Sequence, residues 1–353
     1  MVNSMQSCVR SDCAEIITDG GMSLSKLRGE CILITGGTGF FGTWLTEMIS
    51  FLNDEYNFNV KIFLLSQGAY NFGSKAPHLA IRKDIKLIEK DIKTVFEIPN
   101  QITYIIHAAG NPDNRMHASD PIITMNTIAK GTNALLAAAC RLPNLKIILN
   151  VSSGLIYGPQ PQNMKAIPEK YSGSYDCYSV ASVYSEAKRF AETLCAAYAS
   201  QYKMSIITAR PFAFIGPYQF LDKPWAINNF IRDSLMGGPI RILGDGETVR
   251  SYMYASDMAY WMLRLLVDGR PGLAYNVGSP HGVSLNQLAI KIANNFTVKP
   301  EIMSRVSPSS HIHSSTFVPD VGLAVNTLGL EQKIDIDEAI KRTLSWYKVT
   351  QVK

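Results

Sequence analysis

Thr35-Gly36-Gly37-Thr38-Gly39-Phe40-Phe41-Gly42 decides the fold of this chain, because it follows the apolar run Cys31-Ile32-Leu33-Ile34-Thr35 and leads directly into a helical pattern. A strand, a glycine-rich turn and a helix in this order build a dinucleotide-binding loop. Gly36 permits the tight turn, Gly39 lets the backbone approach a pyrophosphate, and Gly42 lets helix and strand pack closely. Gly36, Thr38, Gly39, Phe40, Phe41 and Gly42 are therefore candidate cofactor ligands.

Outward from the loop, β-rich apolar runs at 60–65, 85–88, 104–106, 146–151 and 205–208 alternate with helical patterns at 41–52, 121–141 and 178–202. Continuous Val/Ile/Leu runs suit strands buried on both faces, and a repeated β-α order predicts an α/β fold, a Rossmann-type doubly wound parallel sheet. Beyond Arg210 the texture changes: Pro211, Gly216, Pro217, Pro224, Gly237, Gly238, Pro239, Gly244 and Gly246 punctuate short elements. Such a loop-rich lobe is where a substrate pocket is built. Helical patterns near 256–266, 284–295 and 335–347 and a strand at 274–277 interleave it with the sheet. The expected organisation is an N-terminal extension, 1–28, outside the core fold; a dinucleotide-binding domain, 29–210, with 247–280 packing on it; and a smaller C-terminal substrate lobe, 211–246 and 281–353.

With 353 residues, 46% of them hydrophobic and 18% charged, the chain buries a sizeable core and is not disordered. A net charge of +5, scattered rather than clustered, points to anionic small molecules and away from nucleic acid. Cys8, Cys13, Cys31, Cys140, Cys177 and Cys195 show no regular spacing and read as reduced thiols, with Cys31, Cys140 and Cys195 among apolar residues. No stretch approaches the ~20 apolar residues of a membrane span, and no signal peptide opens the sequence, so a cytoplasmic protein without membrane contact is expected. His311-Ile312-His313 lacks supporting Cys or carboxylates and reads as a surface segment rather than a metal site.

The second strand ends in Ser66-Gln67-Gly68, without the carboxylate that binds a ribose 2′-hydroxyl in NAD enzymes and without an Arg for a 2′-phosphate. NAD and NADP both stay open, with Ser66 as the strand-end contact and Asp91 as a partner for the adenine edge. Farther on, Tyr184-Ser185-Glu186-Ala187-Lys188 sets a phenol and an ammonium four residues apart on one helix face. A phenol titrates near pH ~10, so it exchanges protons at neutral pH only where its surroundings lower that value, and Lys188 is placed to do so.

Together with the glycine loop, His107-Ala108-Ala109-Gly110, Val151-Ser152-Ser153-Gly154-Leu155-Ile156-Tyr157-Gly158 and the Tyr184/Lys188 pair resemble the extended short-chain dehydrogenase/reductases, in their nucleotide-sugar epimerase and dehydratase branch. The resemblance continues through Arg210-Pro211-Phe212, Gly244-Asp245-Gly246 with Arg250 and Asp257, and Asn276-Val277-Gly278. It implies Tyr184 as acid/base, Lys188 as its electrostatic partner and ligand of the nicotinamide ribose, and Ser153, preferred to Ser152, as the hydroxyl on the reacting sugar oxygen. Ala108 and Ala109 would pass under the cofactor, while His107 reads as a hydrogen-bonded core histidine. Arg250 would clamp the nucleotide diphosphate, and Asn228 or Asn229, with Asn229 preferred, would touch substrate phosphate. Ala213 stands where the family often has Asn, and Asn126 lies off the usual spacing. A homodimer through paired helices is also implied.

The dehydratases of this family carry an acidic pair after the active-site hydroxyl, and the decarboxylases a Glu; this chain has Gly154-Leu155. Without those groups, elimination and decarboxylation by those routes lose their acid and base. The leading expectation is a nucleotide-diphosphate sugar C4 epimerase using NAD; the alternatives are an NADPH-dependent 4-ketosugar reductase and, behind it, a nucleotide-sugar dehydratase, with a noncatalytic nucleotide-binding scaffold as the reading from another class.

Overall fold

The computed structural model describes residues 2–305 and 315–351, so His311 and His313 lie outside the described residues. Along the chain run β1 (Cys31–Thr35), β2 (Lys61–Ser66), β3 (Ile85–Glu89), β4 (Tyr104–His107), β5 (Ile147–Val151) and β6 (Ile206–Pro211). Next come β7 (Ala213–Ile215), β8 (Ile240–Leu243), β9 (Val249–Tyr254), β10 (Ala274–Val277), β11 (Gly282–Ser284), β12 (Ile302–Arg305) and β13 (Thr316–Phe317). Seven of these form one sheet in the order β10-β6-β5-β4-β1-β2-β3, every pairing parallel. This is the doubly wound arrangement expected from the alternating pattern. The order reverses beside β1, so the carboxyl ends of β1 and β4 flank the crevice where such sheets bind ligands.

All five residues of β1 are buried, as are four of the five in β5, which is why these runs read as unbroken Val/Ile/Leu. Helices cover both faces. Phe40–Tyr56 and Ala255–Asp268 share a core with Ile34, Leu64 and Ile207, whereas Leu135, Leu136 and Cys195 from Pro121–Ala139 and Val183–Tyr202 meet Leu33, Ile105 and Ile148 on the other face. In the lobe, β9 pairs with β7, β11 and β13, while β8 pairs with β12. The described cysteines are all free, although Cys140 is only half-buried and Cys8 and Cys177 are exposed.

The first 28 residues depart from the expectation of an extension outside the core. Val2–Ile16 is a helix whose Val9, Cys13 and Ile16 are buried in the main core. Their spacing, four and then three residues, puts them on one helical face, a short stripe without the length that flags a core helix by hydropathy. Charge fixes the helix from both sides. Asp12 accepts from the Tyr254 hydroxyl at 2.7 Å and from Arg342 at 2.8 Å, while Arg10 pairs with Asp54 at 3.1 Å and with Glu55.

Candidate active site

The glycine loop is shaped by close approach. Gly36 has φ +66°, and a Cβ there would meet the Ala108 oxygen at 2.8 Å and the Ala109 Cα at 3.1 Å. Ala108 and Ala109 thus lie directly beside the loop. A Cβ on Gly42 would run into the backbone of Gly37, so the helix beginning at Phe40 can start only without a side chain there. Gly39 caps that helix without a side-chain acceptor, and the first turn holds no acid, leaving the N–H groups of Phe40 and Phe41 for an anion. These features fit a dinucleotide pyrophosphate. At the tip of β2 the Thr38 hydroxyl donates to Ser66 Oγ at 2.9 Å. Asp91 caps the turn Ile92–Thr94, accepting from the Lys93 N–H at 2.9 Å, and pairs with Lys93 Nζ at 3.3 Å.

His107 is the buried core histidine expected. Thr132 donates its hydroxyl proton to the Ile128 carbonyl at 2.7 Å, so its lone pair accepts His107 Nε2–H at 3.0 Å, and Thr35 donates to Nδ1 at 2.7 Å. Thr35 Oγ1 also accepts the Ala109 N–H at 3.2 Å, which ties β4 to the loop after β1. Burial, with Lys188 adding to it, draws the imidazole down to about 3 and keeps it neutral.

Ser153, Tyr184 and Lys188 converge at the carboxyl end of β5, all buried. Ser153 lies beside the Tyr184 phenol and opposes its rise, and its Oγ accepts the Leu155 N–H at 3.1 Å, whereas Ser152 points its Oγ into a buried position without a partner among the described residues. Ser153, preferred to Ser152 for its distance from Tyr157-Gly158, is the member of the pair that acts on Tyr184. Lys188 Nζ donates to the Val151 carbonyl at 2.7 Å and lies 5.9 Å from the Tyr184 ring centroid. One expectation is corrected by the packing: burial pushes the Tyr184 phenol up to about 12, opposed by Ser153, and desolvation draws the Lys188 amine down to about 8. Desolvation is the largest cause for both groups.

Several contributors were missed from sequence. His117, on the helix Asn114–Ser119, stacks on Tyr184, and Asp113 caps that helix. Asp113 also pairs with Arg115 at 2.7 Å and with Lys223 of the lobe at 3.2 Å, and these cations, Arg115 foremost, hold its carboxyl far below the usual range. Below Lys188, Glu192 takes a two-toothed bond from Arg210, at 3.0 and 2.7 Å; Arg210 also donates to the Tyr157 hydroxyl at 2.9 Å, which donates to Asn276 at 2.8 Å. Glu192 repeats the four-residue step of Tyr184 and Lys188, a signal the sequence did contain.

Two lobe positions complete the inventory. Arg250 on β9 donates to the Val249 and Ser315 carbonyls at 2.8 Å and to Ser315 Oγ at 3.0 Å, all of them neutral acceptors, and no carboxylate pairs with it among the described residues. Asn229, half-buried on the helix Ala226–Leu235, is the more accessible of its pair, since Asn228 is buried and donates to the Phe220 carbonyl at 2.8 Å. The segment 218–223 crosses in front of the glycine loop. It meets Lys75 beside β2 through Tyr218 and Phe220, and Asp113 beyond β4 through Lys223. Because β1 lies between β2 and β4, this strap spans the crevice.

A family model described as the NAD dependent epimerase/dehydratase family matches residues 32–278. The chain is 27% identical to UDP-glucuronic acid decarboxylase 1 of Xenopus tropicalis over 327 residues, covering 92% of this chain and 74% of that one. It is 29% identical to UDP-glucuronic acid decarboxylase 6 of Arabidopsis thaliana over 316 residues, 88% and 86% of the two chains. Among solved structures, UDP-glucose 4-epimerase of Thermotoga maritima with UDP-glucose superposes with a TM-score of 0.76 at 21% identity, over 91% of this chain and 99% of that one. UDP-glucuronic acid 4-epimerase of Bacillus cereus, in complex with UDP-glucuronic acid and NAD, gives the same TM-score at 19% identity and the same coverage. With its parallel sheet, its glycine loop and its Ser153, Tyr184 and Lys188 in one buried cluster, the chain belongs to the NAD dependent epimerase/dehydratase family.

Proposed function

We propose that the protein inverts C4 of a nucleoside-diphosphate sugar through a transient 4-keto sugar. The observation that carries this reading is Gly154. A Cβ at this position would lie 2.8 Å from the Phe212 ring, so the residue after the Ser153 hydroxyl has no room for an acidic side chain, and Leu155 follows it. Acid and base for removing water at the neighbouring carbons are thus missing from the place where the dehydratases of this family carry them. Proton transfer falls to Tyr184.

A nicotinamide dinucleotide seated on the glycine loop supplies the hydride acceptor and, for the return, the hydride donor. Tyr184 takes the proton of the 4-hydroxyl, and Ser153 donates to the oxygen as it becomes a carbonyl. Lys188, in its ammonium form, favours the phenolate. Arg250 and Asn229 hold the diphosphate while the sugar turns its other face to the dinucleotide. A second reading, an NADPH-consuming 4-ketosugar reductase, is favoured by the tip of β2, where Ser66 and Thr38 stand without a strand-end carboxylate. A homodimer accords with the outward faces of the helices Pro121–Ala139 and Val183–Tyr202, which expose Ile122, Ile123 and Phe190.

Purified protein incubated with UDP-, GDP-, CDP- and dTDP-sugars, uronic acids included, tests the choice by mass spectrometry of product and cofactor. Epimerisation predicts an isomeric product with no net change in nicotinamide absorbance. Stoichiometric loss of NADPH establishes the reductase instead, and loss of carbon dioxide from a uronic acid aligns the chain with its decarboxylase relatives. Tyr184→Phe should lower turnover by about 10²–10⁴-fold with dinucleotide binding intact; undiminished function in that variant would sink every catalytic reading.

A further inference from the structure

Lys75 ends the one-turn helix Phe72–Lys75 that follows β2, and its Nζ donates to the Thr38 carbonyl of the glycine loop at 3.1 Å. Ring faces of Tyr218 and Phe220 from the strap flank the ammonium at 5.8 and 5.5 Å. Among the described residues no carboxylate pairs with it, and burial draws the amine down to about 8. The nearby acids are occupied. Glu47 takes the Tyr218 hydroxyl at 2.5 Å and His78 at 2.8 Å, and Glu89, paired in register with Ser66, accepts the Tyr70 N–H at 3.1 Å.

An ammonium offers three N–H donors, and among the described residues one is accepted, by the Thr38 carbonyl. Removing a cation from water without a counter-ion is unfavourable, and attraction to ring faces offsets only part of the loss. Such a group is poised for an anion. The same loop already presents the N–H groups of Phe40 and Phe41 at a helix start without an acidic first turn. We propose that Lys75 is a phosphate ligand of the dinucleotide, closing the anion site above the glycine loop under the rings of the strap. This rests on the loop's reading as the dinucleotide site. Two phosphates share that chemistry, the pyrophosphate and a 2′-phosphate, the second because the tip of β2 offers hydroxyls from Thr38 and Ser66 and no strand-end carboxylate.

Lys75→Met and Lys75→Arg separate the possibilities when NAD and NADP binding to cofactor-stripped protein is measured by calorimetry, alongside the melting temperature of the same protein. Lys75→Met should bind dinucleotide about 10- to 100-fold more weakly, the range expected for a charged hydrogen bond, and Lys75→Arg should retain most of the affinity. The cofactor-free melting temperature of Lys75→Met should hold or rise, because a half-buried cation without a counter-ion has been removed. A loss for NADP alone assigns the 2′-phosphate; equal losses for both assign the pyrophosphate. Unchanged affinity for both, or a lowered cofactor-free melting temperature with affinity intact, overturns the proposal by making Lys75 a structural tie of the loop. Wild-type protein that binds neither dinucleotide would overturn the reading of the loop itself.

Discussion

The imidazole of His117 lies flat on the phenol of Tyr184, with ring centroids 4.3 Å apart and planes within 12°. His117 is held by an Nε2 hydrogen bond with the Asn111 carbonyl at 2.7 Å, so the short helix that carries it seals one face of the Tyr184 ring from water. Burial is the main reason the Tyr184 phenol is raised to about 12.

Opening that face should therefore lower the phenol. His117→Ala is expected to bring the Tyr184 titration toward about 10, the value of a hydrated tyrosine, whereas His117→Phe keeps the ring stack and the high value. Ultraviolet titration of tyrosinate, with Tyr184→Phe subtracted, reads the difference. Equal titrations in the alanine and phenylalanine variants would refute the sealing role.

Lys188 predicts opposite pH trends for activity and stability. Its amine loses its proton near 8 in the fold against 10.5 for an ordinary lysine, and the ammonium is the form that supports a phenolate. Turnover should fall as pH rises through about 8. Between about 8 and 10.5 the unfolded chain holds more protons than the folded one, so this group's contribution to stability rises with pH across the same window. Lys188→Met should lower turnover at every pH and remove both trends, as seen in pH–rate profiles and urea unfolding.

Crowding at Gly154 is expected to be local and reversible. Gly154→Ala puts a methyl 2.8 Å from Phe212 Cε2 and 2.9 Å from Cδ2, an overpacking worth roughly 1–3 kcal/mol. Combined with Phe212→Leu, the loss should shrink, giving a clear coupling in a double-mutant cycle of unfolding free energies. Additive losses would show that the ring is not what excludes a side chain.

Arg250→Ala should weaken binding of the free nucleotide diphosphate by about 10- to 100-fold and leave dinucleotide binding unchanged. Arg250→Lys should recover little, since one ammonium cannot reproduce the planar fork that meets Ser315 and the Val249 carbonyl together. Calorimetric titration with UDP, GDP, CDP and dTDP reads the effect and ranks the bases.

The sheet was legible because β1 and β5 are buried on both faces and leave continuous apolar runs, and because the glycine loop marks where strand becomes helix. The four-residue step of Tyr184 and Lys188 was legible by spacing, but a solvated helix face has the same step, so their roles and that of Ser153 came only from the family resemblance. His117 was not, since a histidine in a polar segment carries no mark of the ring it will cover. The Asp113–Lys223 pair spans 110 positions and Lys75 meets rings from the strap, contacts that exist only once the lobe has folded over the sheet. Local pattern could assign the charge balance of Tyr184 only in part: it saw the neighbouring ammonium and missed the desolvation that dominates both groups.

Asp12 binds Arg342, 330 positions along the chain, and also the Tyr254 hydroxyl. Arg10 on the helix Val2–Ile16 finds Asp54 and Glu55 early, whereas Asp12 gains Arg342 only once the helix Ile336–Gln351 has been made. Until then Val9, Cys13 and Ile16 lack the cover that this helix adds. A contact of such sequence separation closes late and slowly, which makes the docking of Val2–Ile16 on Ile336–Gln351 a candidate late step of folding and the docked helix a reporter of its completion.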